Sequence, residues 1–427
     1  MPTTDKPIGK FIRHDTCRFC QGRNLVDILD LGNVPLAGGF LKEKDFPHEQ
    51  YYPLDLKLCR DCFLVQVGNV VPADILFNDN YFFFSSAIGT LIDHFEVFAH
   101  EIKERFLAGV DHPSVLEIGC NDGVLLRPLS SLGIKALGVD PATNVVKSLI
   151  NAEDFIVIND FFSEPLAYQI REKYGRFDAV LSSYSFAHID DMVDIMKGVK
   201  CLLKDDGVLI VEIYYLGTLI DEMQYDMIYH EHMSYYSLTA LTSFLQRFDM
   251  EIFDVKYIPG VRSGSVRFYA KNMGRRNERV SSAVTDMLQY EREKGFERVE
   301  AYSEYAARVN ETRDQLVTLL DRLKHEGKSI IGYGASGRGT IIMNYCGIDG
   351  RYLDYVIDDA PAKHGFFTPG THVPIKPWEF EDESEYPDYI VLFAWAFTDE
   401  VVKKRHDYLK RGGKFIVPLP EVRIISA

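Results

Sequence analysis

Two groups of side chains in this chain have types and spacing suited to chemistry. The first lies in Val115-Leu116-Glu117-Ile118-Gly119-Cys120-Asn121-Asp122-Gly123. An apolar run that ends in glycines predicts a buried strand entering a sharp turn, then a helix. A second apolar stretch ends in Asp140, about twenty residues on, where a carboxylate can take both hydroxyls of a ribose. A dinucleotide would need bare backbone for its pyrophosphate. Here Asn121 and Asp122 stand in the turn. That favours a nucleoside without phosphates and with a cationic end, S-adenosylmethionine. The candidate cofactor residues are therefore Glu117, Gly119, Asn121, Asp122 and Asp140. Asp160 and Phe161 follow a third strand and could accept the adenine amino group and stack on its ring. Ser182 closes a fourth strand. Alone, Asp160 reads equally as a helix cap.

The second group is Tyr229-His230-Glu231-His232, followed by Ser234-Tyr235-Tyr236-Ser237. So many polar groups are costly to bury without partners. His-Glu-His lacks the spacing of a helical zinc motif. It offers instead a base that titrates near neutrality and a carboxylate to orient it. A polar structural loop is the alternative. His188 and Ser185 lie just after the fourth strand, where substrate and methyl donor would meet. Arg262, Ser265 and Arg267 bring two cations and a hydroxyl that could hold a diphosphate; an exposed hairpin is the equal alternative.

Four of the seven cysteines form two pairs, Cys17 with Cys20 and Cys59 with Cys62. Two residues between partners let both thiolates reach one ion, and four thiolates suit zinc. A closed four-sulfur site is structural. It staples a segment too small to build a core of its own; two reduced free pairs, a redox pair, or iron in place of zinc are the alternatives. Cys120, Cys201 and Cys346 sit in apolar contexts and read as core.

These residues need elements to hold them. Alternating strands and helices over 111–275 predict strands at 114–118, 135–139, 155–158, 177–182, 207–213 and 265–270. They imply a parallel sheet with ligands at the strand C-terminal ends. Helical, charged residues over 276–325 read as a connector. A second α/β unit follows, with Gly332-Tyr333-Gly334-Ala335-Ser336-Gly337 after a strand and Asp358-Asp359 after the next. That is a dinucleotide fingerprint by pattern, on too short a chain for a full dinucleotide fold plus a substrate domain. The expected class is α/β: a Rossmann-like methyltransferase sheet, a small N-terminal zinc-binding domain and a C-terminal Rossmann-like α/β domain. The expected boundaries are 1–75, 76–275 and 276–427.

A net charge of −16 argues against nucleic acid. The sequence holds no apolar run of about eighteen residues, so no membrane span is expected. The N-terminus lacks the apolar stretch of a signal peptide, and cytoplasm is the default expectation.

The order of these parts resembles the sugar C-methyltransferases, which methylate carbon in nucleotide-linked 4-keto-deoxysugars. The resemblance spans nearly the whole chain and rests on the paired cysteines, Glu-Ile-Gly-x-Asn-Asp-Gly, Tyr-His-Glu-His and Gly-x-Gly-Ala-x-Gly-Arg-Gly. It implies structural zinc on Cys17, Cys20, Cys59 and Cys62, S-adenosylmethionine in the middle domain, and a C-terminal domain that helps enclose the sugar nucleotide, with dTDP the expected nucleotide. It also implies an active site of Tyr229, Glu231, His232 and His188. The family often has Tyr-x-Tyr-Phe-Ser-Ser near the domain junction. This chain has Tyr81-Phe82-Phe83-Phe84-Ser85-Ser86, so the second tyrosine is Phe83 and Tyr81 is the substitute. The expected reaction removes a proton beside the ketone and lets the enolate take the methyl group. Oxygen or nitrogen methylation, or NAD-dependent oxidation of a sugar nucleotide, are the alternatives.

Overall fold

The computed structural model describes residues 7–76, 84–87, 89–147, 149, 152–260, 264–380 and 385–427. Tyr81, Phe83 and Arg262 lie outside them.

The largest sheet has seven strands. In spatial order they are Ile156–Ile158, Lys135–Val139, Ser114–Ile118, Phe177–Ser183, Leu203–Tyr214, Ser265–Asn272 and Met250–Ile258. The central ones are apolar and buried on both faces, as parallel strands between helix layers must be. The expected all-parallel sheet is corrected at one edge. Ser265–Asn272 runs antiparallel to both neighbours; the residues between Ile258 and Ser265 are too few for a crossover. Met250–Ile258, absent from the expected strands, fills that edge.

Strand order reverses between Ser114–Ile118 and Phe177–Ser183, which pair side by side. A crevice opens at such a switch point, at the strand C-terminal ends. The turn after Ile118 and the turn after Ser183 form its two sides. Gly119 has φ +76°, and a Cβ there would lie 2.4 Å from the Ser185 Cβ. Only glycine allows the two turns to approach this closely.

The N-terminal cysteines lie beside an antiparallel sheet of Leu25–Pro35, Tyr51–Cys59 and Val65–Val67. Its fourth strand is Ser234–Tyr235, drawn from far along the chain. The stretch after His232 is thus welded to the N-terminal sheet, and the boundary near residue 75 does not separate the two sheets' residues.

Helices Ser282–Lys294 and Val299–His325 form the connector. Tyr302, Tyr305, Val309, Leu316, Leu320 and Leu323 recur on one face of the longer helix and are buried. They join one apolar cluster with Leu29 and Leu54 of the N-terminal sheet and Ile331 and Val391 of the C-terminal sheet. That last sheet has the order Ile375–Lys376, Val356–Ile357, Ile330–Tyr333, Tyr389–Leu392, Lys414–Val417 and Arg423–Ile425. Its first five strands are parallel and its last is antiparallel. None of the described helices is long and apolar enough to cross a membrane.

Candidate active site

A cavity of about 380 Å³ fills the crevice. Glu117, Gly119, Asn121, Asp140, Phe161, Ser185 and His188 all line it. The sequence expectation therefore gathers in one place. Ile12, Val70 and Pro72 close one wall, so the N-terminal part contributes directly.

Both oxygens of Asp140 accept backbone N–H groups, from Asn121 at 2.8 Å and Ala142 at 2.9 Å. This braces the glycine turn with the carboxylate at the end of the next strand. Glu117 is 3 % exposed, and its Oε2 has no hydrogen-bond partner among the described residues. Burial, then the nearby Asp140 and Asp122 charges, push its carboxyl well above the usual range. Burial also raises Asp140, against the pull of its two N–H partners. A site that crowds buried carboxyl groups around an orphaned oxygen is completed by a cationic ligand. S-adenosylmethionine, with an ammonium and a sulfonium, fits that demand.

Three residues of the expected cofactor set take other places. Asp122 turns toward the segment before the helix Gly89–Phe106. Its Oδ2 accepts the Ser86 N–H at 3.0 Å and the Ser86 hydroxyl at 2.5 Å. Asn121 does line the cavity, and its Oδ1 accepts the Ser85 N–H at 2.9 Å. Asp160 accepts the N–H of Phe161 and is exposed. Ser182 is buried against the Ser185 hydroxyl, which itself donates to the Ile118 carbonyl at 2.7 Å. Among the described residues, Asp122, Asp160 and Ser182 do not line the cavity. The two turn side chains that argued against a pyrophosphate serve as anchors for residues 85 and 86.

Beyond His188 the cavity gives way to an aromatic cluster. The His232 ring lies 5.2 Å from that of His188, 3.9 Å from that of Tyr229 and 4.9 Å from that of Tyr214. Tyr214 ends the fifth strand and was not singled out from the sequence, although strand C-terminal ends are where ligands collect. His232 is 2 % exposed, and its Nδ1 is 2.8 Å from the Met227 carbonyl oxygen. A carbonyl only accepts, so Nδ1 carries a proton here, and in the neutral form of the ring the lone pair is then at Nε2. The expected orienting role of Glu231 thus goes to Met227. Glu231 is partly buried, and desolvation pushes its carboxyl up to about 7. His230 points elsewhere. Its Nε2 lies 3.3 Å from the Tyr52 carbonyl oxygen, and burial lowers it to about 4.

The expected diphosphate residues sit differently again. Arg267 is 2 % exposed. Its Nε and Nη2 donate to Glu212 Oε2 at 2.9 and 2.6 Å, and its Nη1 donates to Glu101 at 3.1 Å. Its guanidinium lies 3.4 Å from the centre of the Phe98 ring. The Ser265 hydroxyl lies 2.9 Å from the Tyr184 hydroxyl, which donates to Glu212 at 2.6 Å. A diphosphate role for Arg267 is revised on this ground: every nitrogen of its fork is already engaged. The network braces Tyr184, which lines the cavity with φ +65°.

The four cysteine sulfurs lie within 4.8 Å of one another, with Cys17 and Cys62 at 3.4 Å and Cys20 and Cys59 at 3.5 Å. A tetrahedral zinc at about 2.3 Å from each sulfur would set them roughly 3.8 Å apart. The donor set fits, and it is closed.

The C-terminal glycine turn is filled from within the chain. Ala37 packs on Gly337, its Cβ 3.3 Å from where a Cβ would stand, and its carbonyl accepts the Thr340 hydroxyl at 3.2 Å. Asp358, at the ribose position, is taken by Lys363 at 3.1 Å and the Ala360 N–H at 2.9 Å.

Comparison with known proteins agrees with this geometry. Residues 17–77 match a zinc binding domain, 92–255 a methyltransferase domain and 260–420 the C-methyltransferase C-terminal domain. The chain is 34 % identical to the C-methyltransferase NovU of Streptomyces niveus over 97 % of both chains. It is 32 % identical to a ubiquinone biosynthesis O-methyltransferase of Bradyrhizobium diazoefficiens, over 23 % of this chain and 38 % of that one. Among solved structures, the plantazolicin methyltransferase BpumL with S-adenosylhomocysteine covers 42 % of this chain and 82 % of its own, at 12 % identity and a TM-score of 0.33. That last likeness is too slight to argue from. With the cysteine cluster, the cation-seeking cavity and a full-length relative in agreement, the chain belongs to the S-adenosylmethionine-dependent C-methyltransferase family.

Proposed function

We propose that the chain methylates a carbon next to the ketone of a nucleotide-linked 4-keto-deoxysugar, with dTDP as the expected nucleotide. The observation that carries this is the contact of His232 Nδ1 with the Met227 carbonyl, which leaves Nε2 as the nitrogen able to act as base, in a cluster with His188, Tyr229 and Tyr214 beside the cavity. Carbon becomes a nucleophile only after a proton leaves, and a neighbouring carbonyl makes that proton acidic. His232 Nε2 takes it. Tyr229 and His188 donate to the oxygen on which the negative charge collects. S-adenosylmethionine, when bound, supplies the electrophilic methyl group. Glu117 and Asp140 hold its cationic and ribose ends, and Phe161 covers the adenine. The apolar walls exclude water, and holding the reacting carbon close and in line lowers the barrier further.

Glu231, whose carboxyl burial pushes up to about 7, adjoins His232 in the chain but does not take the Nδ1 proton, which faces the Met227 carbonyl. Ser185 keeps the turn in shape, and Arg262 remains the proposed diphosphate contact. Tyr81 remains a proposed donor at the ketone. NAD chemistry in the C-terminal part is disfavoured because Ala37 and Lys363 occupy the phosphate and ribose positions of the fingerprint.

The experiment is to incubate the protein with S-adenosylmethionine and a dTDP-4-keto-deoxysugar, then weigh the product and locate the added methyl by NMR. A methyl group on carbon supports the proposal. A methyl on oxygen or nitrogen, with no exchange of the sugar proton for solvent deuterium when the donor is withheld, overturns it.

A further inference from the structure

The crevice at the C-terminal ends of Ile330–Tyr333 and Tyr389–Leu392 is where a Rossmann-like sheet would receive a ligand. Here it receives Asp226. This side chain is fully buried. Arg338, the residue after Gly337, grips it with both arms of its fork, Nε to Oδ2 at 2.8 Å and Nη2 to Oδ1 at 3.0 Å. The indole N–H of Trp395, just past the neighbouring strand, donates to Oδ2 at 2.7 Å. The guanidinium also lies 4.8 Å from the centre of the Trp395 ring. Planar, bidentate pairing fixes orientation as well as distance.

Asp226 is in the single turn Tyr225–Met227, and Met227 supplies the carbonyl that takes the Nδ1 proton of His232. The Tyr235 hydroxyl reaches the same carbonyl at 3.4 Å. A neutral imidazole is a base on one nitrogen only, and the partner of the other nitrogen decides which.

We infer that the C-terminal part of the chain positions the base: Arg338 and Trp395 hold Asp226, and Asp226 holds the Met227 carbonyl that keeps the His232 proton on Nδ1. Arg338, Trp395 and Asp226 are positioning residues. The glycine fingerprint has become a clamp on the catalytic turn. The inference rests on the reading of His232 as the base.

The test uses the full chain with ¹⁵N-labelled histidine, His232 being assigned by comparison with His232→Gln. Long-range ¹H–¹⁵N spectra report which imidazole nitrogen bears the proton. Removing one charge alone would strand the other in the core, so the main variant is the pair Asp226→Asn with Arg338→Gln. Trp395→Phe and Arg338→Lys are the milder companions. In the wild type, Nε2 of His232 carries the shift of an unprotonated nitrogen. In the pair variant this signal moves toward the protonated value, kcat falls roughly ten- to a hundred-fold, part of what a general base supplies, and KM and S-adenosylmethionine binding hold. Arg338→Lys lies between. Should the pair fail to fold, Trp395→Phe carries the same expectation at smaller amplitude. A folded variant whose His232 tautomer and kcat match the wild type overturns the inference. The spectra need no sugar substrate. A wild type that keeps the Nδ1–H tautomer but does not methylate a keto-sugar sinks the proposed function and leaves the clamp standing.

Discussion

Arg18, inside the first cysteine pair, donates from Nε to Oδ1 of Asp190 at 2.8 Å, and Asp190 lines the cofactor cavity. The same guanidinium reaches Gln66 at 3.0 Å and the Val67 carbonyl at 2.8 Å. Phe19, the next residue, stacks on Phe244 with ring centres 3.8 Å apart. The cysteine knuckle is therefore mechanically continuous with the cavity wall. Stripping the zinc with a chelator should weaken S-adenosylmethionine binding by about ten-fold, or roughly 1.4 kcal/mol. Arg18→Ala should do the same while keeping its zinc. Calorimetric titration, with metal content measured in parallel, checks both. A metal-free protein of unchanged affinity would uncouple the two sites.

His232→Asn keeps a polar side chain of similar reach and removes the base. S-adenosylmethionine binding should stay intact while turnover drops by about 10²–10⁴-fold, the range that a positioned base contributes. Exchange of the substrate's acidic proton into deuterated water should fall in step. Unchanged turnover would remove His232 from that role.

Arg267 separates two readings of one residue. Burial alone would raise Glu212, but the His94 hydrogen bond and the Arg267 charge prevail and hold it at about 2. Glu212 therefore stabilises the fold above its ordinary 4.5. That contribution fades as pH falls toward 2. Arg267→Lys keeps a charge and loses the fork, so stability at neutral pH should drop by about 1–3 kcal/mol. The KM for the sugar nucleotide should hardly change. Urea melts at several pH values and steady-state kinetics decide. A raised KM with unaltered stability would return Arg267 to the diphosphate.

Glu231 has the opposite sign. Its folded carboxyl sits at about 7, above the ordinary 4.5, because burial disfavours the charge. The folded state thus binds more protons than the unfolded one between these values, and stability is lost as pH rises through them. Glu231→Gln removes that loss. The variant should gain about 1–3 kcal/mol over the wild type at pH 8 and little at pH 5. Thermal melts across that span measure it. A gain confined to low pH would contradict the assignment.

The turn after Ser114–Ile118 was legible because its backbone demands are local. Glycine at φ +76° is a property of a few adjacent residues, and so is two-residue cysteine spacing. The same holds for helix Val299–His325, whose apolar face repeats within a turn. The antiparallel sense of Ser265–Asn272 was not legible because it follows from the strand Met250–Ile258 just before it, which was absent from the expected strands.

Residue type and order alone determined that the chain would hold a metal-stapled head, a nucleoside-binding sheet and an imidazole–tyrosine cluster. Tertiary structure alone decided partnership. It joined Asn121 and Asp122 to Ser85 and Ser86, gave Arg267 to Glu212, and set the Met227 carbonyl against His232 Nδ1. It also closed the C-terminal glycine turn with Ala37. A hydrogen bond is worth making with whichever group arrives within about 3 Å in the right direction, and for buried side chains that group comes from a distant part of the chain. Spacing along the sequence carries no record of it.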